Sequence, residues 1–173
     1  MRGFSLLAFI FICAVTGLGQ DRPNVAAQRD AMKKLEFLAG RWTGPCSVTR
    51  GPGEPVKLIQ TEQVQYKLDG LVMLIEGTGR TSDGKVAFQA LATVAYDESS
   101  GQYRLRSHSG GRYLDTELKV LPRGFVWGFD AGPMKVINTM RLSEKGEWVE
   151  TTDVSAGAAP ARRTLEMTLS RTE

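Results

Sequence analysis

The sequence predicts a mainly β fold: a single antiparallel up-and-down barrel of about ten strands with one N-terminal α-helix. Two observations predict it. From Arg41 onward, nine turn signals separate ten strand-like runs, and these links are shorter than the dozen or more residues that parallel crossovers need. A meander of this many strands most simply hides its edges by closing on itself.

The turn signals share an enrichment in Gly, Pro, Asp and Ser. They lie at 50–55, 69–70, 83–84, 97–101, 110–111, 122–124, 132–133, 144–146 and 156–160.

The N-terminus has the composition of a secretory signal peptide. A positive charge precedes an apolar run, 5–15, that is short for a bilayer span. Gly17 and Gly19 are small residues that suit cleavage before Gln20. We therefore expect residues 1–19 to be removed and the protein to be exported to the periplasm or the exterior. An uncleaved N-terminal anchor is the alternative.

The mature chain should be one domain. Residues 20–38 form an N-terminal segment with the helix, and 39–173 form the barrel. Cys13 leaves with the signal, so Cys46 has no partner for an intrachain disulfide. The net charge of +3 comes from scattered Lys and Arg, unlike the clustered charge of a nucleic-acid-binding protein. We expect no nucleic-acid partner and no stable transmembrane span after processing.

The helix is predicted between Asn24 and Leu38. Apolar residues recur there at spacings of three, four or seven, as on one face of a helix. They are Val25, Ala31, Met32, Leu35 and Leu38. Asn24 suits the start of the helix and Gly40 its end. Because one face is apolar, we expect the helix to lie across one end of the barrel.

Two hairpin turns predict strand registers. A two-residue turn at Gly110-Gly111 places Arg106 opposite Asp115 and Arg104 opposite Glu117. Such cross-strand charge pairs contribute about 0.2–1 kcal/mol each. The remaining predicted pairs are Ser109 with Arg112, His108 with Tyr113, Leu105 with Thr116, Tyr103 with Leu118 and, across Asp83-Gly84, Thr81 with Val86, Gly79 with Phe88, Gly77 with Ala90 and Ile75 with Ala92.

The registers predict an interior lined by apolar side chains of small volume. Two glycines face small residues there, and a barrel wider than eight strands can enclose a ligand cavity. The candidate cavity-lining residues are Met73, Ile75, Phe88, Tyr103, Leu105, Trp127, Phe129 and Met140. An ordinary filled core is the alternative, because large apolar residues are usually just packed.

Three segments carry a family resemblance. They are Phe37-Leu38-Ala39-Gly40-Arg41-Trp42-Thr43-Gly44, Tyr96-Asp97 and Gly101-Gln102-Tyr103-Arg104. With the meander, they resemble the calycin-type barrels, and among these the small exported bacterial proteins of unknown function that are similar to nitrobindin-like, haem-binding barrels. The resemblance implies that Trp42 packs across the closed end of the barrel, with Arg171 over its ring. A cation over an indole contributes about 0.5–2 kcal/mol.

The resemblance also raises the question of haem. Haem iron needs an axial ligand such as His, and nitrobindin-like proteins use a His of a late strand. This chain has one His, His108, beside a mid-chain turn. It shares a face with Arg104 and Arg106, which we expect to be the solvated outer face. An interior anion hook formed by these three residues is the alternative, and no cofactor is expected, with haem as the weaker possibility.

Catalytic motifs are missing from the sequence. It has no His-x-x-x-His or paired-Cys metal spacing, no Gly-x-Ser-x-Gly and no phosphate loop. Glu62, Glu76, Glu117 and Glu150 could pair inside a barrel, but the sequence gives no reason to choose two. The expectation is a non-catalytic binding or carrier protein for a small hydrophobic or amphipathic molecule. The alternatives are a haem-binding barrel, a cell-envelope interaction module and an enzyme with its site inside the barrel.

Overall fold

A computed structural model describes residues 23–49 and 51–172. The predicted signal peptide, 1–19, lies outside these residues. Within the two ranges, no helix is long and apolar enough to cross a membrane.

The N-terminal helix has two parts. α1 spans Val25–Met32, and the Asn24 side chain caps it by accepting a hydrogen bond of 3.0 Å from the Ala27 N–H. A 3₁₀ helix, α2, continues over Lys33–Leu38, where a single α-helix was predicted. The buried residues Met32, Leu35 and Leu38 recur every three residues, which matches the three residues per turn of a 3₁₀ helix.

The predicted barrel is confirmed: ten antiparallel strands form a closed sheet. The strands are β1 Gly40–Val48, β2 Val56–Lys67, β3 Val72–Arg80, β4 Val86–Asp97, β5 Gln102–Ser109, β6 Arg112–Leu121, β7 Gly124–Ala131, β8 Met134–Leu142, β9 Trp148–Ala156 and β10 Arg162–Arg171. Each strand pairs with its neighbours in the chain, and β1 pairs with β10 to close the barrel.

Turn chemistry predicted the register well. All the pairs proposed across Gly110-Gly111 are present. Across Asp83-Gly84 the pairs of Gly79, Gly77 and Ile75 are also present. The proposed pairing of Thr81 with Val86 is wrong, because Arg80 takes Val86 as its partner after a register shift. The turn is longer than two residues, since the Thr81 N–H donates to the Lys85 carbonyl at 2.9 Å.

The helical segment covers the barrel end at which β1 begins, as predicted. The Tyr66 hydroxyl donates to the Met32 carbonyl at 2.6 Å, and the Tyr103 hydroxyl donates to the Ala31 carbonyl at 2.7 Å. Arg29 forms an ion pair with Asp69 in the β2–β3 turn at 2.5 Å. We call this the closed end, and the opposite end the mouth.

The closed end is also where the barrel seam is held. Trp42 of β1 lies opposite Arg171 of β10, and the guanidinium carbon is 4.2 Å from the centre of the indole ring. Arg171 also donates hydrogen bonds to the carbonyls of Phe37 and Ala39. The Trp42 Nε1 donates to the Leu38 carbonyl at 2.8 Å. One arginine therefore connects the last strand, the first strand and the end of α2.

Candidate functional site

The inward-facing side chains divide the barrel into two halves. In the half next to the helix, ten of them are at most 4% exposed: Trp42, Val64, Met73, Val94, Leu105, Leu118, Phe125, Met140, Trp148 and Leu169. Four others, Ile75, Val120, Trp127 and Leu142, are partly buried against this core. In the half next to the mouth, Leu58 is 5% exposed, whereas other inward-facing apolar residues keep part of their surface exposed: Val48, Phe88, Ala90, Leu114, Phe129, Val136, Val154 and Leu165. The closed half is therefore a packed core, and solvent reaches the interior of the mouth half.

The eight candidate cavity-lining residues fall on both sides of this division. Met73, Leu105 and Met140 belong to the packed core, and the hydroxyl of Tyr103 holds the helix. Ile75 and Trp127 are partly buried against the core, and Phe88 and Phe129 lie in the mouth half and are partly exposed. Trp127 and Phe129 stack with ring centres 6.2 Å apart. The apolar wall that solvent reaches thus contains only part of the predicted set.

A band of polar side chains lies between the two halves. We call it the polar band; it consists of Cys46, Gln60, Glu62, Asn138, Glu150 and Thr152. Gln60, Glu62 and Asn138 are 3%, 7% and 6% exposed. The strand registers put the band on the inner face: Glu62 lies opposite the buried Trp42, and Glu150 lies opposite the buried Met140 and Met167.

Hydrogen bonds hold most of the polar band in place. Gln60 Nε2 donates to Glu62 Oε1 at 2.7 Å. Trp148 Nε1 donates to Glu150 Oε2 at 2.8 Å. The Thr152 hydroxyl donates to Asn138 Oδ1 at 2.6 Å. Each carboxyl is therefore oriented by one neutral donor from its own strand, two residues away.

Two glycines make room for the Glu62 and Gln60 side chains. A Cβ added at Gly77 would lie 2.8 Å from Glu62 Oε1, and one added at Gly79 would lie 2.7 Å from Gln60 Oε1. The sequence predicted that these glycines leave free volume. The structure corrects this: the volume over Gly77 and Gly79 is occupied by the polar band itself.

Burial changes the electrostatics of the band. It raises the pKa of Glu62 to about 8, and the charge of Glu150 adds to the effect. It raises the pKa of Glu150 to about 7 and that of the Cys46 thiol to about 11. In the part of the chain that the structure describes, neither carboxyl forms a salt bridge. Burial therefore favours the protonated form of both carboxyls, and more strongly for Glu62.

One polar group of the band has no partner. Among the described residues, Asn138 Nδ2 is the single buried side-chain nitrogen or oxygen atom without a hydrogen bond. Such a group costs about 1–3 kcal/mol in a protein interior. Because Thr152 satisfies only one end of the amide, the other end remains available to a bound molecule.

The residues of the alternative anion hook lie outside the barrel. Arg106 and His108 are exposed, and the Arg104 side chain is 33% exposed. Both arginines pair with Asp115, Arg106 at 2.8 Å, and their hydrogen bonds lower the Asp115 pKa. These three side chains form no interior anion site, because the alternation of β5 points them outward.

The backbone ladder between β6 and β7 is short. Their paired residues run only from Leu118 opposite Trp127 to Leu121 opposite Gly124. Nearer the mouth, the Thr116 hydroxyl donates to the Gly128 carbonyl at 2.7 Å. A side chain thus bridges the two strands where their backbone ladder has ended, at the level of the polar band.

A separate cleft lies on the outside of the closed end. It has a volume of about 580 Å³, and Lys34, Tyr103, Lys119 and Arg123 are among its lining residues. It contains none of the polar band. The interior of the mouth half, with the polar band at its floor, is therefore the candidate site.

The chain was compared with known proteins. No family model matches it, and no curated protein matches its sequence. Among solved structures, Rv2717c from M. tuberculosis is similar with a TM-score of 0.63 and 13% identity, over 83% of this chain and 98% of that one. Lobster apocrustacyanin A1 has a TM-score of 0.36 and 9% identity, over 86% of this chain and 68% of that one. At 13% identity, the likeness to Rv2717c concerns the fold alone.

Sequence reasoning identified only part of the barrel interior. Glu62 and Glu150 were named among four carboxylates, without a reason to choose them, and Gln60, Asn138 and Thr152 were missed. The signal that could have placed Glu62 and Glu150 inside the barrel is the alternation of inward-facing and outward-facing side chains along a strand. Glu62 lies two residues from Val64, and Glu150 two residues from Trp148. In a strand, residues two apart share a face.

Proposed function

We propose that this calycin-like chain is an exported binding or carrier protein for a small amphipathic molecule, and that it performs no chemistry on that molecule. The observation that carries the proposal is the partial exposure of the inward-facing apolar residues of the mouth half, such as Phe88 and Phe129. Ligand sites are concave and mostly apolar, with a few well-placed polar groups. The apolar stretch at 5–15 supports the export part of the proposal.

The depth order of the interior favours an amphipathic ligand over a wholly apolar one. Apolar side chains line the mouth half, and the polar band lies beneath them. Burying the polar band against a hydrocarbon would leave Asn138 Nδ2 unsatisfied. A molecule that enters with its polar end first can form hydrogen bonds with the polar band and place its apolar part against the apolar side chains of the mouth half.

Haem does not fit the described residues through the predicted ligand. His108 is exposed on the outer face of β5, with its ring 5.1 Å from that of Tyr113. A haem inside the barrel is out of its reach.

The proposal is tested with N-phenyl-1-naphthylamine, a neutral apolar dye whose fluorescence rises in apolar sites. We expect saturable binding to the mature protein. Phe129→Lys, which places a charge on the inner wall, should weaken it by at least about tenfold. Tyr113→Lys is the matched control, because Tyr113 is 59% exposed, and it should bind as the wild type does.

Two results would contradict the proposal. One is the absence of saturable dye binding, combined with repeated recovery of no small molecule when the native protein is extracted for mass spectrometry. The other is equal loss of binding in Phe129→Lys and Tyr113→Lys, which would place the dye outside the barrel.

A further inference from the structure

The polar band points to the chemical class of the ligand. We propose that the bound molecule carries a protonated amine and, close to it, a hydrogen-bond acceptor, which are held by Glu62, Glu150 and Asn138. This inference rests on the proposed function and adds to it the identity of the buried end.

The first argument is that the two interior carboxyls lack a positively charged partner among the described residues. Glu62 and Glu150 are two interior carboxyls, and within 23–49 and 51–172 no Lys, Arg or His forms a salt bridge with either. Each receives one side-chain hydrogen bond, from Gln60 or Trp148. A carboxylate can accept about four. The unused acceptor positions match the three N–H donors of an ammonium group, and charge-assisted hydrogen bonds of this kind are the strong ones.

The second argument is independent and concerns the amide. Asn138 is 6% exposed, and its Nδ2 has no partner among the described residues. Asn138 lies opposite Thr152, and Glu150 lies opposite Met140, so amide and carboxyl are diagonal neighbours on the inner face. Diagonal neighbours on paired strands have their Cα atoms about 7–8 Å apart. A short head group can therefore contact both the Asn138 amide and the Glu150 carboxyl. Nδ2 is a donor and therefore requires an acceptor, such as a carbonyl or hydroxyl oxygen.

The surroundings agree with a cation. The titratable groups of the band are Cys46 from β1, Glu62 from β2 and Glu150 from β9. Arg171 of β10, the partner of Trp42 across the seam, lies over the indole ring and donates to carbonyls of the helical segment. An anionic head would meet two carboxyls here, whereas a cationic head is attracted by either of them once it is ionised.

Binding should release protons. In the free protein, burial raises the pKa of Glu62 to about 8 and of Glu150 to about 7. An ammonium ion stabilises the ionised carboxylates and lowers both pKa values. The affinity for an amine should therefore rise as the pH increases from 6 to 8.5, a range in which an alkyl amine stays protonated.

The experiment uses three dansyl probes of similar length that differ at one end. Dansylcadaverine has a primary amine, its N-acetyl derivative is neutral, and dansyl-6-aminohexanoate is anionic. At pH 8.5 we expect the amine to bind the mature protein about tenfold more tightly than the neutral probe, a difference of about 1.4 kcal/mol. The anionic probe should bind most weakly. Calorimetry in buffers of different ionisation enthalpy should show proton release with the amine alone.

Isosteric variants locate the effect. Glu62→Gln and Glu150→Gln should each remove most of the preference for the amine over the neutral probe. Glu76→Gln is the matched control, because Glu76 is exposed on the neighbouring strand, and it should keep the preference. Removal of the buried carboxyl charge is not expected to unfold the barrel, and thermal melts check this.

The outcomes separate the two proposals. If N-phenyl-1-naphthylamine binds but the amine and its acetylated form bind equally, or if the anionic probe binds best, the amine proposal is wrong and the binding function stands. If the amine preference survives in both glutamine variants, the polar band is not the site. If no probe binds at all, the binding function itself is wrong.

Discussion

The buried carboxyl of Glu62 should make the stability of the barrel depend on pH. Its pKa rises from 4.5 to about 8 because the side chain is buried. A raised pKa means that the folded protein holds the proton more tightly than the unfolded chain does. This contribution to stability is therefore fully present below pH 4.5 and is lost as the pH rises through about 8. At about 1.4 kcal/mol for each pKa unit, the loss is on the order of 5 kcal/mol.

The perturbation that isolates this effect is Glu62→Gln, since glutamine keeps the shape and cannot ionise. Urea unfolding, followed by tryptophan fluorescence between pH 5 and 9, should show the wild-type free energy of unfolding falling with pH. The variant should fall much less, and it should be more stable than the wild type at pH 9 by several kcal/mol. A smaller slope should remain, because the Glu150 pKa is also raised, to about 7.

Glu76→Gln is the control for this experiment. Glu76 is exposed on β3, so its substitution should leave the pH profile parallel to that of the wild type. If Glu62→Gln also gives a parallel profile, Glu62 is not a buried, proton-binding group, and the electrostatic argument for the polar band fails with it.

Three further predictions concern stability. Trp42→Ala should lower the free energy of unfolding by about 3–5 kcal/mol, as for a buried large aromatic; an unchanged melting temperature with lost dye binding would mean that Trp42 serves the ligand and not the barrel seam. Gly77→Ala should cost about 1–3 kcal/mol in urea unfolding, because its Cβ would lie 2.8 Å from a carboxyl oxygen of Glu62; no loss would mean that this carboxyl is mobile. Asp115→Asn should leave the free energy of unfolding nearly unchanged by the same measurement, since its ion pairs lie on the outer face; a clear loss would show that they are structural.

The architecture could be predicted because its signals are local. Nine turns and the spacing of the runs between them specified the meander, and Gly110-Gly111 specified a register that the structure reproduces. Alternation within β5 placed Arg104 and Arg106 on the outer face. The longer turn at Thr81 was missed, because Asp83-Gly84 also occurs in two-residue turns and the bulge at Arg80 leaves no mark of its own.

The site could not be predicted to the same degree, because it depends on neighbours that are distant in the chain. Glu62 and Glu150 belong to β2 and β9 and reach a common interior only when β1 and β10 close the barrel between them. Sequence reasoning read Gly77 as empty volume, since nothing in β3 indicates that a carboxyl of β2 lies over it. The orphan amide of Asn138 is a property of the assembled interior and has no counterpart in the sequence.

The seam between β1 and β10 can form only late in synthesis. All other strand pairs join neighbours in the chain, so they can form as each hairpin is completed, whereas the seam joins Trp42 to Arg171. During synthesis the protein is therefore an open sheet with two unpaired edges until β10, a strand of ten residues, appears. Open edges favour pairing with other chains. A chain that stops before β10 should be prone to aggregation even though nine of its ten strands are complete.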